Sequence, residues 1–333
     1  MHRTARFPWS PALLATACAG WAFACSGASN GSGTFDVNGG SDSGTNVPTH
    51  DGGIFGGGDT GSFVGDGSSN GPGCSDAAKL IYVLDDAGAL HSFDPKLLPS
   101  MSAFKTIGTP NCQWGGGGPN SMAIDRSANA WICDNNGGLF KVSTSNASCQ
   151  TTTFKPGQHN FGKFGMGFST TTAGGTDDVL YVDGNSTKAG GTDGLGLATI
   201  DLTTMKLNPI GAYDAPLTGQ DCELTGTGDA RLFGFFFSAQ SSVAQIDKGT
   251  AHIISNQNVP VSVNLTGLGS IAWAFSFYAG SFYLYTADTS QNPYSDVTLY
   301  DPMTGKSTTV LSQIGFNIVG AGVSTCAPTQ PVK

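Results

Sequence analysis

The sequence predicts an all-β chain folded as a five-bladed β-propeller whose first blade is completed by the C-terminal strand. Three observations lead there. Gly, Ser, Thr, Val, Phe and Tyr dominate while Glu223 is the sole glutamate, a mixture that suits strands and turns rather than helices. One unit of about blade length recurs five times after Lys79. The first copy lacks an inner strand, and an unpartnered strand of that type ends the chain.

Composition narrows the partners. The chain has 333 residues, 49 of them Gly, with 12% charged residues and a formal net charge of -9. Such an acidic chain has no basic patch for nucleic acid or an anionic membrane surface.

The N-terminus reads as an export signal. His2, Arg3 and Arg6 precede apolar and small residues from 7 to 24, too short a run for a membrane span and shaped like a secretory signal. Ala22-Phe23-Ala24-Cys25 resembles the lipobox of bacterial lipoproteins, although Leu is usual where Ala22 stands and Phe23 is large for its place. The resemblance implies cleavage after residue 24 and lipidation of Cys25, whose acyl chains would anchor the protein. Ala15-Thr16-Ala17-Cys18 is a second candidate box, but cleavage there leaves Trp21 and Phe23 at the mature start. Cys25 is therefore preferred, and residues 1–25 form the signal.

Residues 26–73 are nearly all Gly, Ser, Asp, Asn and Thr, with Phe35, Ile54, Phe55 and Phe63 as isolated apolar exceptions. Such a segment cannot close a core and is expected to be a disordered tether. Its Gly-Asp pieces are similar to calcium-binding β-roll repeats but have no nine-residue period.

The propeller is expected over residues 74–328, with 329–333 as a tail. Its repeat is clearest in a strand beginning at residues 90, 139, 197, 243 and 297, at spacings of 49, 58, 46 and 54: Leu-His-Ser-Phe-Asp, Leu-Phe-Lys-Val-Ser, Leu-Ala-Thr-Ile-Asp, Val-Ala-Gln-Ile-Asp and Val-Thr-Leu-Tyr-Asp. Each follows an apolar strand, at 80–84, 130–133, 179–182, 232–237 and 282–286, across Asp, Asn and Gly turn residues, which is a hairpin pattern. Small and apolar residues precede the hairpin at 122–124, 165–168, 224–227 and 273–276, suited to the crowded centre of a ring. An outer strand follows at 103–107, 150–154, 207–210, 252–254 and 307–311. Four strands at this repeat length describe a propeller blade.

Residues 318–324 supply the missing inner strand of blade one, which removes an open sheet edge. Cys326 then falls just past that strand and Cys74 just before the next, so a Cys74–Cys326 disulfide is expected to clamp the ring. The other mature cysteines are Cys112, Cys133, Cys149 and Cys222, an even set in an exported chain and hence expected in disulfides. Cys112 and Cys133 fall on one rim, whereas Cys133 and Cys149 fall at opposite ends of blade two; the pairing stays open. No cysteine spacing matches a zinc site.

These units, with a turn Asp and an Asp-Pro or Asp-Leu closing the third strand, resemble secreted bacterial propellers of the NHL and YVTN repeat type over roughly residues 74–327. Residues 223–229 and 319–326 are also similar to segments of lipoproteins from predatory and social soil bacteria. Neither resemblance implies an activity.

Propeller ligands usually sit on the face where loops from outer to next inner strand gather. Trp114, His159, Asp221 and Glu223 are placed there as candidate ligand-binding residues. Glu223 with His159 and Asp221 suits general acid-base chemistry, or Glu223 simply accepts neighbouring backbone N–H groups. Trp114 either stacks on a flat ligand or fills a gap between blades. Asp85, Asp86, Asp134 and Asp183 recur at hairpin turns, where they would ring the channel and hold calcium or cap their own turns. Arg126 and Arg231 fall on the opposite face, beside Asp125 and Asp229, as structural ion pairs. No phosphate loop, nucleophile elbow or dinucleotide fingerprint is present, so no cofactor is expected.

The leading expectation is thus a non-catalytic, lipid-anchored envelope module, periplasmic or facing outward from the outer membrane, that binds or scaffolds an envelope protein or an extracellular glycan. The alternative is a hydrolase or lyase acting on a polysaccharide or lactone, with Glu223 as acid or base.

Overall fold

A computed structural model describes residues 74–115, 117–186, 194–238, 240–262, 271–288 and 292–331. The signal, Cys25 and the tether expected over 26–73 lie outside the described residues. Twenty strands among the described residues form five four-stranded antiparallel sheets. Blade one holds β1 (Ile81–Asp85), β2 (Leu90–Phe93) and β3 (Phe104–Gly108); blade two runs from β4 (Pro119–Ile124) through β5 (Asn129–Asp134) and β6 (Leu139–Ser143) to β7 (Cys149–Thr151). Blade three follows as β8 (Phe161–Thr170), β9 (Asp178–Ser186), β10 (Gly194–Asp201) and β11 (Lys206–Gly211). Blade four comprises β12 (Cys222–Gly226), β13 (Leu232–Phe236), β14 (Ser242–Ile246) and β15 (Ile253–Asn258). Blade five comprises β16 (Ile271–Tyr278), β17 (Ser281–Asp288), β18 (Asn292–Asp301) and β19 (Lys306–Leu311), and the chain then returns as β20 (Ile318–Val323).

β20 pairs antiparallel with β1, setting Ile81 opposite Val323 and Leu84 opposite Gly320. Blade one is therefore closed by both ends of the domain, as the repeat count predicts. Cys74 and Cys326 form a disulfide across 252 residues, beside Ala78 and Ala128.

Each seam between neighbouring blades holds one apolar cluster. Phe233 and Phe235 of blade four meet Phe275, Phe277 and Phe282 of blade five in the one between those blades. A fully buried phenylalanine contributes roughly 2–3 kcal/mol through removal from water, so the seams carry most of the stabilisation. At the centre, glycine lets the inner strands approach backbone to backbone: a Cβ on Gly165 of β8 would stand 2.1 Å from the Cys222 carbonyl oxygen of β12.

The recurrent terminal Asp of the third strand has a local cause. Asp201 Oδ1 accepts from the Thr203 and Thr204 N–H groups, and Asp247 Oδ1 accepts from Gly249 and Thr250. These side chains close the turn into the outer strand. Met205 and Ala251 then take the left-handed conformation, at φ 55 and 65°.

Blade twist brings the segment after each outer strand against that turn in the next blade, and three seams are fastened there by different chemistry. Cys112 joins Cys149 between blades one and two. Gln158 Nε2 donates to Met205 O at 3.0 Å and its Oε1 accepts from Leu207 N at 3.1 Å between blades two and three. His252 Nδ1 lies 2.8 Å from Asp214 Oδ2 between blades three and four.

Two sequence expectations are corrected. Cys133 and Cys222 are buried thiols, because Cys133 points into the seam of blades two and three and Cys222 into that of blades three and four. The shared rim of Cys112 and Cys133 therefore yields no bond. Arg231 does pair with Asp229, at 2.7 Å, but Arg126 pairs with Asp178, at 3.8 Å, and donates to Thr325 Oγ1. Asp125 is occupied by Asn129 and Trp131. The two disulfides suit an exported chain, and no helix among the described residues is long and apolar enough to cross a membrane.

Candidate functional site at the channel mouth

Because every inner strand starts on the same face, the first residues of β4, β8, β12, β16 and β20 surround the upper end of the channel. They enclose a cavity of about 390 Å³ whose lining includes Asn120 and Asn135 of blade two, Lys163 of blade three, Glu223 of blade four, Trp273 of blade five and Val319. A recess of about 30 Å³ opens beside it, lined by Lys163, Asp183, Asn185, Asp221, Glu223 and Trp273 among others. That recess is the size of a single water molecule.

Glu223 crosses the channel: its Oε2 accepts from Ser121 Oγ at 2.6 Å. Burial pushes its carboxyl well above the usual carboxylate range, against the pull of the Ser121 hydrogen bond and the Lys163 charge. Asp183 is also pushed well up, first by burial, although its Oδ2 accepts from Cys222 N at 2.7 Å. Two carboxyl groups with raised pKa, a third carboxyl from Asp221 and one lysine therefore share this space.

The chain's repeats thus build a propeller with a polar mouth. No family model matches the chain, and no curated protein matches it. Among solved structures it is similar to TolB from Acinetobacter baumannii, at 13% identity over 70% of this chain and 52% of that one, TM-score 0.39. It is also similar to a catalytically inactive virginiamycin B lyase from Staphylococcus aureus with quinupristin, at 12% identity over 72% of each chain, TM-score 0.35. A third is Bacteroides ovatus xyloglucan PUL GH43B, at 12% identity over 60% of this chain and 43% of that one, TM-score 0.43. The chain spans about half the length of the first of these, covering 52% of it. None of these likenesses bears on what this chain binds or does.

Of the residues that sequence places on this face, Glu223 and Asp221 meet at the recess. Trp114 and His159 are not among its lining residues, nor among those of the larger cavity. Trp114 is half-buried and packs edge-to-face on Phe140 at 5.1 Å, over the seam of blades one and two. His159 is exposed in the short turn Gln158–Asn160 that precedes β8, in the left-handed conformation.

The turn aspartates are engaged by hydrogen bonds within the fold, Asp85 and Asp134 at their own turns and Asp183 by Cys222 N of the next blade. Asp134 Oδ1 accepts from Asn136 and Gly138 N–H groups, and its Oδ2 from Gly115. Asp85 accepts from Ala89 N and lies 3.0 Å from His91 Nε2. Asp86 accepts from the Asn317 side chain. Among the described residues no three His, Cys, Asp or Glu side chains converge as metal ligands.

Sequence reasoning missed Asn120, Lys163 and Trp273. The available signal was positional: each stands at the upper end of an inner strand, the place Glu223 occupies in blade four.

The buried carboxyls give the fold a signed pH dependence. Burial raises Asp178, on the lower face, to about 6, against Thr325 and Arg126. An unfolded aspartate releases its proton near pH 4, so the folded chain holds a proton the unfolded chain has lost between about pH 4 and 6. That contribution is complete below about pH 4 and vanishes as the pH rises through about 6. Glu223 and Asp183 act in the same direction. Asp201, Asp214 and Asp247, held low by hydrogen bonds from Thr204, His252 and Thr250, act oppositely in stronger acid. Tm is expected to rise from pH 7 to pH 5, and to rise less in Asp178→Asn. Equal rises in calorimetry would remove Asp178 from this account.

Proposed function

We propose that this chain is an exported propeller of the NHL and YVTN repeat type, held at the bacterial envelope through Cys25, that binds an extracellular glycan at the channel mouth without transforming it. The supporting observation is the convergence of all five blades on one concave cavity of about 390 Å³. That volume falls in the range of small-ligand sites, whereas a protein partner would need on the order of 800 Å² of complementary surface. Trp273 offers an aromatic surface; Asn120 Nδ2 already donates to Phe164 O and Asn135 Nδ2 to Gly117 O and Pro119 O, so what these amides can offer a sugar hydroxyl is the acceptor Oδ1 of each.

A second reading rests on one specific feature: Glu223, whose carboxyl burial pushes well above the usual carboxylate range, stands in the recess with Asp183 and Asp221. A carboxylic acid that keeps its proton near pH 7 can act as a general acid, so a hydrolase or lyase on a polysaccharide or lactone remains the rival. The binding reading is preferred because the Ser121 hydroxyl already occupies Glu223 Oε2 and the side chain is only 5% exposed.

Glycan-array binding by the full mature protein tests both. Capture of a defined glycan that falls at least tenfold in Trp273→Ala, with Tm preserved, is the expected result. Release of reducing ends or lactone opening that disappears in Glu223→Gln would replace the binding reading by the enzymatic one. Capture of no glycan, together with no turnover, would end both.

A further inference from the structure

Six cationic side chains among the described residues are partly buried: Lys79, Arg126, Lys141, Lys163, Arg231 and Lys248. Five have partners in the fold. Lys79 meets Asp76, Arg126 meets Asp178, Lys141 meets Asp125 and Arg231 meets Asp229. Lys248 Nζ donates to Thr170 O. Lys163 alone makes no salt bridge or hydrogen bond with any described residue, and it stands at the channel mouth.

A second unpartnered donor lines the same space. Trp273 Nε1 is buried without a hydrogen-bond partner among the described residues, and Trp273 lines both the cavity and the recess together with Lys163. A buried N–H left unpaired costs about 1–3 kcal/mol, so the pair marks a place organised for something that accepts. Within a protein of net charge -9, the mouth thus offers one positive charge and one unpaired indole N–H, beside the Asp183, Asp221 and Glu223 carboxyls of the recess.

We propose that the mouth receives a carboxylate-bearing sugar, a uronic-acid residue at a chain end or branch, whose two oxygens take Lys163 Nζ and Trp273 Nε1 as donors. This rests on the glycan-binding reading above and narrows it to acidic saccharides. A carboxylate fits better than a phosphate or sulfate ester because it is a planar monoanion with two acceptor oxygens, matched to one ammonium and one indole N–H. Charge-assisted bonds of this kind are roughly twice as strong as neutral ones. They also give a salt dependence that stacking alone lacks.

The test is calorimetric titration of the full mature protein with oligomers of galacturonate, glucuronate and mannuronate, each beside its methyl ester, and with a sulfated neutral oligosaccharide. At least one uronate is expected to bind tenfold or more tightly than its ester, with affinity falling as salt rises. Lys163→Gln should bring acid and ester within about twofold of each other and flatten the salt dependence. Trp273→Phe, which keeps an aromatic ring and loses the N–H, should weaken the acid more than the ester. Lys163→Met serves as a second variant, and Tm is measured for each to confirm folding.

Equal binding of acids and esters would overturn the carboxylate while leaving the glycan-binding mouth intact. Preference for the sulfated oligosaccharide would overturn it in favour of another anion. Binding of neither acids nor esters, alongside a silent glycan array, would overturn the mouth itself.

Discussion

Gly165→Ala is expected to cost the fold about 3 kcal/mol or more, at the upper end of what overpacking a core costs. The added Cβ would stand 2.1 Å from the Cys222 carbonyl oxygen and 3.0 Å from Glu223 Cα. Both are backbone atoms of the neighbouring inner strand, so no side chain can turn aside. Nor can the strand retreat, because it is one of five in a closed ring. Gly226→Ala should behave alike, its Cβ falling 2.2 Å from Phe168 O. Gly249→Ala, with 3.5 Å to Asp247 Oδ1, is the control and should change stability by less than about 0.5 kcal/mol. Urea unfolding midpoints decide it: a Gly165→Ala protein as stable as the parent would mean that the inner strands are not in contact as described.

Breaking the Cys74–Cys326 disulfide, by the paired substitution Cys74→Ala with Cys326→Ala, is expected to be the other large loss. The bond spans 252 residues, and in the chain-entropy account releasing a loop of that size destabilises by about 5 kcal/mol, although measured losses run about 2–5. Cys112–Cys149 spans 37 residues, for which the same account gives about 4 kcal/mol. The pairing of β20 with β1 persists without the bond, so the ring should still form and then melt earlier. Calorimetry of the two paired variants, and of the parent in reductant, measures this. A Tm unchanged in the Cys74 and Cys326 variant would show that the β20 pairing alone sets the unfolding barrier and midpoint.

Much of the architecture was legible because its signals are periodic. The strand ending at Asp94, Asp201, Asp247 and Asp301 recurs because its aspartate closes the next turn, and the final Gly-Ala-Gly run matched the other inner strands in size. The Cys74–Cys326 bond followed from that closure. The Cys112–Cys149 bond did not, since it depends on blade twist, which carries a segment beyond one blade onto the turn of the next. The mouth was read only where a charge drew the eye, at Glu223 and Asp221. Lys163 and Trp273 were hidden because a lysine or tryptophan in a short strand looks the same whether it faces a seam, the solvent or the axis. Trp114 shows the converse: its glycine-rich loop suggested a ligand, and its ring rests on Phe140.

The three fastenings at the rim answer to different chemical agents. A reductant acts on Cys112–Cys149 alone and acid on Asp214 with His252, while the Gln158 clasp, built from neutral amides, is indifferent to both. Where the circle first loosens is therefore set by the surroundings: under thiols at blade one and its border with blade two, where both disulfides lie, and beside blade four in acid. Protease cleavage sites mapped under those two conditions should move from one side of the molecule to the other.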